Sequence, residues 1–237
     1  MVKALEDIIA KSSSIVFFGG AGVSTASNIP DFRGKNGIYN TENEWGLPPE
    51  IIISHTFFTR RTKDFYDYYK KYMVYPSAVP NVVHIALARL EKEGKIKAVL
   101  TQNIDGLHQA AGSKNVYELH GSVHRNYCTR CGKFYDLDYI LGAKGVPTCE
   151  CGGVIKPDVV LYEEPLDDDV WQGAWEEVRR ADTLIVGGSS LTVYPAAGLV
   201  DMFYGKNLCI INATPTPFDR RATYLSHESL TREFANL

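Results

Sequence analysis

Four cysteines between residues 128 and 151 have the type and spacing of a metal site. They lie in two close pairs, Cys128-x2-Cys131 and Cys149-x1-Cys151, with residues 132–148 between the pairs. Four thiolates spaced in this way typically bind zinc as a tetrahedron, although the second pair is one residue tighter than usual. Because four sulfurs fill the coordination sphere, the pattern predicts one structural zinc ion; free thiols or disulfides are the weaker alternative.

A histidine at position 120 is a candidate general base. It follows the short apolar segment 116–119 and precedes Gly121. Histidine takes up a proton near neutral pH without a large change of its pKa, and the glycine after His120 would leave room for a substrate. Spacing alone leaves a buried structural histidine as an equal alternative, and for His108 we favour that structural interpretation.

Two glycine-rich turns have the composition of phosphate-binding loops. Gly20-Ala21-Gly22 follows an apolar segment and precedes a predicted helix, so its amides and the helix amino terminus would face a pyrophosphate. Thr25 occupies the place of the third glycine in the dinucleotide-binding fingerprint. Alone, the motif also fits a tight turn without a ligand, but Gly188-Ser189-Ser190 supplies a second turn of this kind.

Two further loops carry polar residues suited to a nucleotide. In Ile29-Pro30-Asp31-Phe32-Arg33-Gly34 an acid, an aromatic ring and a base share one loop, and a surface ion pair between the two charges is the alternative. The amides of Gln102 and Asn103 can both donate and accept hydrogen bonds, as recognition of ribose hydroxyls or a carboxamide requires. Asp105 follows them, and it could instead cap the next helix.

The spacing of apolar segments predicts an open α/β sheet that positions these residues. In such sheets ligands bind beyond the carboxyl ends of the strands, where the residues above and Asn212 fall. A helix is expected at 82–93, behind the candidate cap Asn81. The fold class is therefore predicted to be α/β, a Rossmann-like parallel sheet with helices on both faces. Buried parallel strands are expected at Ile15–Phe18, Ala98–Leu100, Val116–Leu119, Leu184–Val186 and Leu208–Ile211.

Two stretches interrupt this alternation, a helical and tyrosine-rich one at 33–79 and a cysteine-bearing one at 123–153. We expect them to form one smaller domain, partly helical and partly zinc-binding, inserted into the larger one. The nucleotide-binding domain would then comprise residues 1–32, 80–122 and 154–237.

Composition restricts the partners and the compartment. A net charge of −3 and a pI of about 6.1 give no general attraction to nucleic acid or to anionic membranes, so neither is expected as a partner. Residues 1–14 have the pattern of an amphipathic helix, and no uncharged apolar run reaches the roughly 20 residues of a membrane span. We expect a cytoplasmic protein that acts as a monomer.

In this order and spacing, the motifs resemble the sirtuin family along essentially the whole chain. The resemblance rests on Gly20-Ala21-Gly22-Val23-Ser24, the 29–34 loop, Thr101-Gln102-Asn103-Ile104-Asp105, Leu119-His120-Gly121 and the four cysteines. It implies a Rossmann-like domain, a small zinc domain, NAD in the cleft between them, and NAD-dependent deacetylation of acetyl-lysine proteins. The departures are small. Gly19 stands where the family has threonine or serine, and Ser189 stands where it has threonine. The cysteines of the second pair are one residue closer in sequence than usual.

The resemblance also implies a reaction in which NAD is consumed. The acyl oxygen of the modified lysine attacks the ribose carbon that bears nicotinamide, and nicotinamide leaves. A base then deprotonates a ribose hydroxyl, which attacks the resulting imidate and takes over the acyl group. Water completes the release of free lysine, and the other products are nicotinamide and 2′-O-acetyl-ADP-ribose.

Residue by residue, the resemblance assigns His120 as the base and Asn103 as a second catalytic residue. Val160, Tyr162 and Glu163 correspond to positions that bind the acyl-lysine and its peptide. The expected NAD contacts are Gly20, Ala21, Gly22, Ser24, Thr25, Ile29, Asp31, Phe32, Arg33, Gln102, Asn103, Ile104, Asp105, His120, Gly188, Ser189, Ser190 and Asn212.

The preferred acyl group can also be inferred from the resemblance. Sirtuins that prefer succinyl-lysine or malonyl-lysine share a Tyr-x-x-Arg pair, whereas here Tyr66 is followed three places on by Tyr69. Without the arginine an acidic acyl group lacks a bidentate partner. We therefore expect an acetyl or a longer apolar acyl group.

Two other functions stay open at this point. A mono-ADP-ribosyltransferase would use the same cleavage of NAD but a different acceptor, and the apolar segment around Val160 argues against it. A zinc-bearing module that only binds NAD or ADP-ribose would need no base, so the intact Leu119-His120-Gly121 argues against that function. Turnover of NAD would distinguish the enzyme from the binding module.

Overall fold

A six-stranded parallel sheet forms the centre of the larger domain. The computed structural model describes residues 4–31, 37, 44–235 and 237. The strands of this sheet lie in the order β3-β2-β1-β7-β8-β9. They are β1 (Ile15–Gly19), β2 (Ile96–Thr101), β3 (Val116–Glu118), β7 (Thr183–Gly187), β8 (Asn207–Ile211) and β9 (Tyr224–Ser226). The five predicted strands are all present, and the short edge strand β9 is an addition to them.

Helices cover both faces of this sheet, as predicted. Alternate residues of each buried strand point to opposite faces, so Val16 and Phe18 join one core while Ile15 and Phe17 join another. The first core includes α8 (Asp168–Arg180), and the second includes α1 (Leu5–Lys11), α5 (Val82–Lys92) and α9 (Leu230–Phe234). Asn81 caps α5 as expected, since its side chain accepts a hydrogen bond from the amide of Val83. A further short helix, α6 (Leu107–Ala111), follows β2.

The second domain is small and combines both inserted stretches around one core. Its antiparallel sheet has the order β5-β4-β6, from Phe134–Tyr135, Gly121–Cys128 and Ile155–Val159. Its helices are α2 (Pro49–Ile52), α3 (His55–Arg60), α4 (Thr62–Tyr72) and α7 (Leu137–Gly142). Residues of 52–74 and 123–161 share one hydrophobic cluster. Within the described ranges, no helix has the length and apolar character that a membrane span requires.

One boundary differs from the sequence expectation. Residues 155–159 were assigned by pattern to the large domain, but they form β6, which pairs with β4 in the small sheet. The reason is local: the strand leaves the cysteine cluster and can pair immediately with the strand that entered it. The chain returns toward the large domain only after Val159.

Gly121 sits where the two domains meet, and two constraints act on it. Its φ is +74°, and a Cβ atom there would lie 1.9 Å from the carbonyl oxygen of Asp158 in the paired strand. Glycine is therefore needed at position 121 because β4 and β6 approach each other too closely there for a side chain. The sequence suggested a different reason, namely room for a substrate.

We predict that Gly121→Ala destabilises the protein far more than Gly94→Ala. Both glycines have a positive φ, but a Cβ at Gly94 meets nothing within 4 Å. Gly94→Ala should therefore cost only the strain of a left-handed residue, about 1–2 kcal/mol. Gly121→Ala should cost more because the strands must also separate. Unfolding in urea measures both variants; equal losses would contradict the steric argument.

Candidate functional site

The carboxyl ends of the large sheet open into a cleft of about 990 Å³. A volume of this size suits a ligand as large as a dinucleotide. Its walls come from the strand ends of the large domain and from the small domain. Of the predicted residues it brings together Ala21, Gly22, Ser24, Thr25, Ile29, Asp31, Gln102, Asn103, Ile104, Asp105, His120, Val160, Tyr162, Glu163, Gly188, Ser189, Ser190 and Asn212. Gly20 lies just behind this wall, and Phe32 and Arg33 lie outside the described residues.

His120 lies at the end of β3 with its ring fixed by one hydrogen bond. Its Nδ1 is 3.1 Å from the carbonyl oxygen of Gln102. A carbonyl can only accept, so Nδ1 carries the proton and Nε2 of the neutral ring keeps a lone pair. Burial lowers the pKa of His120, and the hydrogen bond to Gln102 offsets part of that effect. The ring is therefore neutral at pH 7 and can accept a proton at Nε2.

Ser24, Asn103 and Asp105 form a polar chain in the cleft that His120 also lines. Ser24 Oγ donates to Asp105 Oδ2 over 2.6 Å, and Asn103 Nδ2 donates to Ser24 Oγ over 3.1 Å. The other carboxylate oxygen of Asp105 accepts from the amide of Leu107 at the start of α6. Asp105 thus binds the first amide of α6, although Gly106 is the N-cap residue of that helix, and it also holds Ser24, which in turn holds Asn103.

Gln102 offers a donor that the protein itself leaves unused. Its side-chain Nε2 is buried and has no hydrogen-bond partner among the described residues. A buried unpaired donor costs about 1–3 kcal/mol, which a ligand hydroxyl or carbonyl in the cleft would offset. Gln102 lines the wall at the end of β2, and its side chain must turn toward the cleft for this donor to meet a ligand.

The two glycine turns pack directly against each other, whereas as anion sites both were expected to face a ligand. The amides of Gly20 and Gly22 donate to the carbonyl oxygens of Gly187 and Gly188, at 3.0 and 2.9 Å. A Cβ at Gly22 would lie 2.7 Å from the Cα of Gly188, so glycine is required by this contact. In this structure the amides of Gly20 and Gly22 are therefore taken up by carbonyl groups of the protein itself, and their contribution to phosphate binding stays a prediction.

Other amides of the two turns remain unpaired, and the structure after the first turn differs from the prediction. The amides of Ala21, Ser189 and Ser190 make no hydrogen bond within the described part of the chain, and all three residues line the cleft. The predicted helix after the turn is also absent, since residues 21–23 and 25–27 form two short 3₁₀ turns. A phosphate at this turn would therefore meet single amides and not the amino terminus of an α-helix.

The charge of the cleft wall is unusual for a site that would hold a pyrophosphate. Within the described residues, the lining contains five carboxylates and neither lysine nor arginine: Asp31, Asp105, Glu163, Glu164 and Glu228. Anion binding there must use neutral donors, supplemented by any cation from outside the described ranges. Arg33 of the sequence motif falls in such a range.

His108 is buried, as expected, but it is not hydrogen-bonded. Only 1% of its surface is exposed, and neither ring nitrogen has a partner among the described residues. Burial lowers its pKa to about 3, and that of His84, whose ring lies 4.7 Å away, to about 4. Both rings are neutral at pH 7, and neither lines the cleft.

The apolar segment around Val160 is anchored in both domains. The amide of Val160 donates to the carbonyl oxygen of His120, and Tyr162 exchanges hydrogen bonds with Ile53 and His55. The carbonyl of Val160 and the amide of Glu163 remain unpaired in the part of the chain that the structure describes. These two groups are available for a bound extended peptide.

Sequence reasoning missed several cleft residues. Val193, Tyr194 and Pro195 line it beyond β7, and Glu228–Thr231 line it beyond β9. On the small-domain side, Tyr72, Met73, Tyr75 and Pro76 contribute an apolar wall. Residues 193–195 come soon after the second glycine turn, and this position in the sequence could have identified them. The residues of the apolar wall belong to no recognisable motif. Tyr66 and Tyr69 are buried in the small-domain core and do not line the cleft.

The four cysteines converge at one point of the small domain. Their sulfur atoms all lie within 4.8 Å of one another, and three of the pairs are 3.4, 3.6 and 3.5 Å apart. A disulfide requires about 2.05 Å, whereas sulfurs around a tetrahedral zinc lie roughly 3.8 Å apart given Zn–S bonds of about 2.3 Å. The set fits one zinc ion. The tightened second pair does not prevent this arrangement.

Known proteins resemble this chain over nearly its whole length. The Sir2 family model matches residues 20–195. An "NAD-dependent protein deacetylase" of Clostridium acetobutylicum is 56% identical over 97% of this chain and 94% of its own length. Another of the same name, from Staphylococcus aureus, is 42% identical over 97% of this chain and 94% of its own length.

Solved structures agree with this comparison. One of Sir2 with a p53 peptide and NAD+ matches with a TM-score of 0.86 and 40% identity, over 100% of this chain and 96% of that one. One of Sir2 in complex with the inhibitor EX-527, 2′-O-acetyl-ADP-ribose and a deacetylated p53 peptide matches with a TM-score of 0.86 and 38% identity, over 98% and 95%.

We predict that the purified protein contains one zinc ion and that Cys131→Ser removes it. Loss of one of four ligands opens the coordination sphere, and the small-domain core then loses the metal that holds it together. Elemental analysis and thermal denaturation measure the two effects. Cys209→Ala, in a buried cysteine remote from this cluster, is the control that should keep its zinc. A Cys131→Ser variant with full zinc content and unchanged Tm would contradict the assignment.

Proposed function

The chain belongs to the Sir2 family of NAD-dependent protein deacetylases, and we propose that His120 is the base of its reaction. The enzyme converts an acetyl-lysine protein and NAD into free lysine, nicotinamide and 2′-O-acetyl-ADP-ribose. Acyl transfer requires removal of a proton from a ribose hydroxyl. The observation that carries the proposal is the hydrogen bond from His120 Nδ1 to the Gln102 carbonyl, which leaves Nε2 as a lone-pair acceptor at the cleft.

The neighbours of His120 bind and orient the NAD ribose and nicotinamide. We assign Asn103 as the second catalytic residue because its side chain is held by Ser24, which Asp105 holds in turn. The unpaired Gln102 Nε2 supplies a donor for a ribose hydroxyl. Ile29, Asp31, Ile104 and Asp105, with Phe32 of the same motif, form the nicotinamide side of the proposed site.

The pyrophosphate and adenosine lie, in this proposal, along the two glycine turns. The amides of Ala21, Ser189 and Ser190 face the phosphates, together with Arg33. Gly20, Gly22 and Gly188 act indirectly, because they allow the turns to approach each other. Thr25 and Asn212 complete the set, Asn212 near the adenosine at the end of β8.

The acylated peptide is expected to lie across the opening of the cleft. Val160 and Tyr162 flank the acyl-lysine, and the free groups of Val160 and Glu163 pair with an extended peptide backbone. An apolar wall that includes Tyr72 and Met73 suits an uncharged acyl group. It supports a preference for acetyl or apolar acyl groups over succinyl, since no cation lines the described part of the cleft.

The structural zinc holds the small domain, which we propose comprises 33–79 and 123–153 together with β6 (Ile155–Val159). The remaining chain forms the NAD-binding domain. We further propose that the enzyme is a cytoplasmic monomer and binds neither nucleic acid nor membranes. The net charge of −3 supports the last point, and a four-thiolate metal cluster is typical of a reducing compartment.

The test is mass spectrometry of an acetyl-lysine peptide incubated with the enzyme, with and without NAD. We expect NAD-dependent loss of acetyl with equal formation of nicotinamide and acetyl-ADP-ribose. His120→Ala should lower kcat by about 10²–10⁴-fold, the usual contribution of a general base. Its Tm and zinc content should match the wild type, because the His120 side chain bonds only to the Gln102 carbonyl among the described residues.

Other outcomes identify the alternatives. NAD cleaved while the peptide stays acetylated would favour ADP-ribose transfer to another acceptor. NAD left intact would favour a binding module. A folded His120→Ala enzyme with normal turnover would rule out His120 as the base.

A further inference from the structure

The strand that follows His120 contains an interruption that faces the active site. In β4, Ser122 pairs with Asp158 of β6, but the next paired residue, Asn126, faces Pro157. Residues 123–125 are therefore extra residues with no partner in β6. Such bulges redirect side chains and are common beside active sites.

All three bulge residues contact the large domain instead. The amide of Val123 donates to the carbonyl oxygen of Ile104 over 3.0 Å, and His124 Nε2 lies 3.0 Å from the carbonyl oxygen of Asp105. Arg125 Nη1 donates to Glu118 Oε2, at the end of β3, over 2.5 Å. The bulge thus joins the loop after β2 to the strand that delivers His120.

Arg125 forms the only ion pairs of this junction within the described residues. Besides Glu118, it binds Asp158 Oδ2 through Nε over 2.7 Å. The Glu118 side chain is only 8% exposed, so its carboxylate depends on this partner. The pair closes segment 118–125, and His120 lies inside the closed loop.

We infer that Arg125 is a positioning residue that holds His120 over the ribose by closing this loop. Two charge-assisted bonds from one planar guanidinium fix the angle between β3, β4 and β6. The backbone of His120 lies two residues from Glu118, and Gly121 beside it packs directly against the carbonyl group of Asp158 in β6. The inference rests on the proposed role of His120 as the base.

Its test uses the order of the two chemical steps. Nicotinamide leaves before His120 acts, so exchange of labelled nicotinamide into NAD reports the first step and deacetylation reports both. Arg125→Gln should lower kcat for deacetylation about tenfold, because small misplacements of a catalytic group cost rates of this order or more. Nicotinamide exchange and the KM for the peptide should change by less than about twofold.

Two milder variants and one control accompany it. Arg125→Lys keeps the charge but cannot bond both carboxylates in plane, and Asp158→Asn weakens only one of the two bonds; each should show a smaller loss of kcat. Arg180→Gln removes the exposed pair with Glu176 on α8 and should change nothing. His120→Ala is measured in parallel, since its full activity would refute the base itself.

The inference is overturned if Arg125→Gln keeps the wild-type ratio of deacetylation to exchange. It is also overturned if both rates fall to the same extent in an Arg125→Gln variant that keeps the wild-type Tm. An unstable Arg125→Gln variant moves the decision to Arg125→Lys and Asp158→Asn. Those variants must show the same selective loss of deacetylation.

Discussion

The hydrogen bond between His120 Nδ1 and the carbonyl oxygen of Gln102 joins the segments that follow two neighbouring strands, and the proposed role of His120 as a base depends on it. It selects the tautomer with a lone pair on Nε2, while burial keeps the ring neutral by lowering its pKa. A strand end can hold a ring in this way only if the adjacent backbone is fixed. Fixing it requires the glycine after His120 and the ties between the two domains.

Two sets of contacts position the rest of the cleft wall. The glycine turns at 20–22 and 187–188 pack backbone against backbone, which uses up the Gly20 and Gly22 amides and leaves those of Ala21, Ser189 and Ser190 free. On the other side of the cleft, the zinc cluster and the small-domain core hold β4 and β6 in place. Because Val160 directly follows β6, these contacts also position the wall that contains Val160. NAD would therefore meet preformed neutral donors, with the acidic groups of the wall held in their own hydrogen bonds, as Asp105 and Glu163 are.

Sequence patterns predict what depends on local chemistry. Four continuous apolar segments form buried strands and the paired cysteines form the metal cluster, because burial and ligation leave clear signatures; β3, whose segment contains Glu118, is present but only half-buried. Strand β9 has three half-buried or exposed residues and no such signature, so the wall at Glu228–Thr231 was missed with it. The hydrogen bonds of the Gly20 and Gly22 amides could not be predicted because their partner turn lies more than 160 residues away. The pairing of β6 with β4 likewise depends on tertiary contacts, which the local sequence pattern does not predict.

The central claim is that the protein delivers a neutral His120 with its proton on Nδ1. Nitrogen-15 NMR of histidine-labelled enzyme reports both the tautomer and the pKa, and comparison with His120→Gln assigns the signal among the six histidines. We expect an Nδ1–H tautomer whose pKa lies below the ordinary value of 6.5. An Nε2–H tautomer, or a pKa above 6.5, would contradict it.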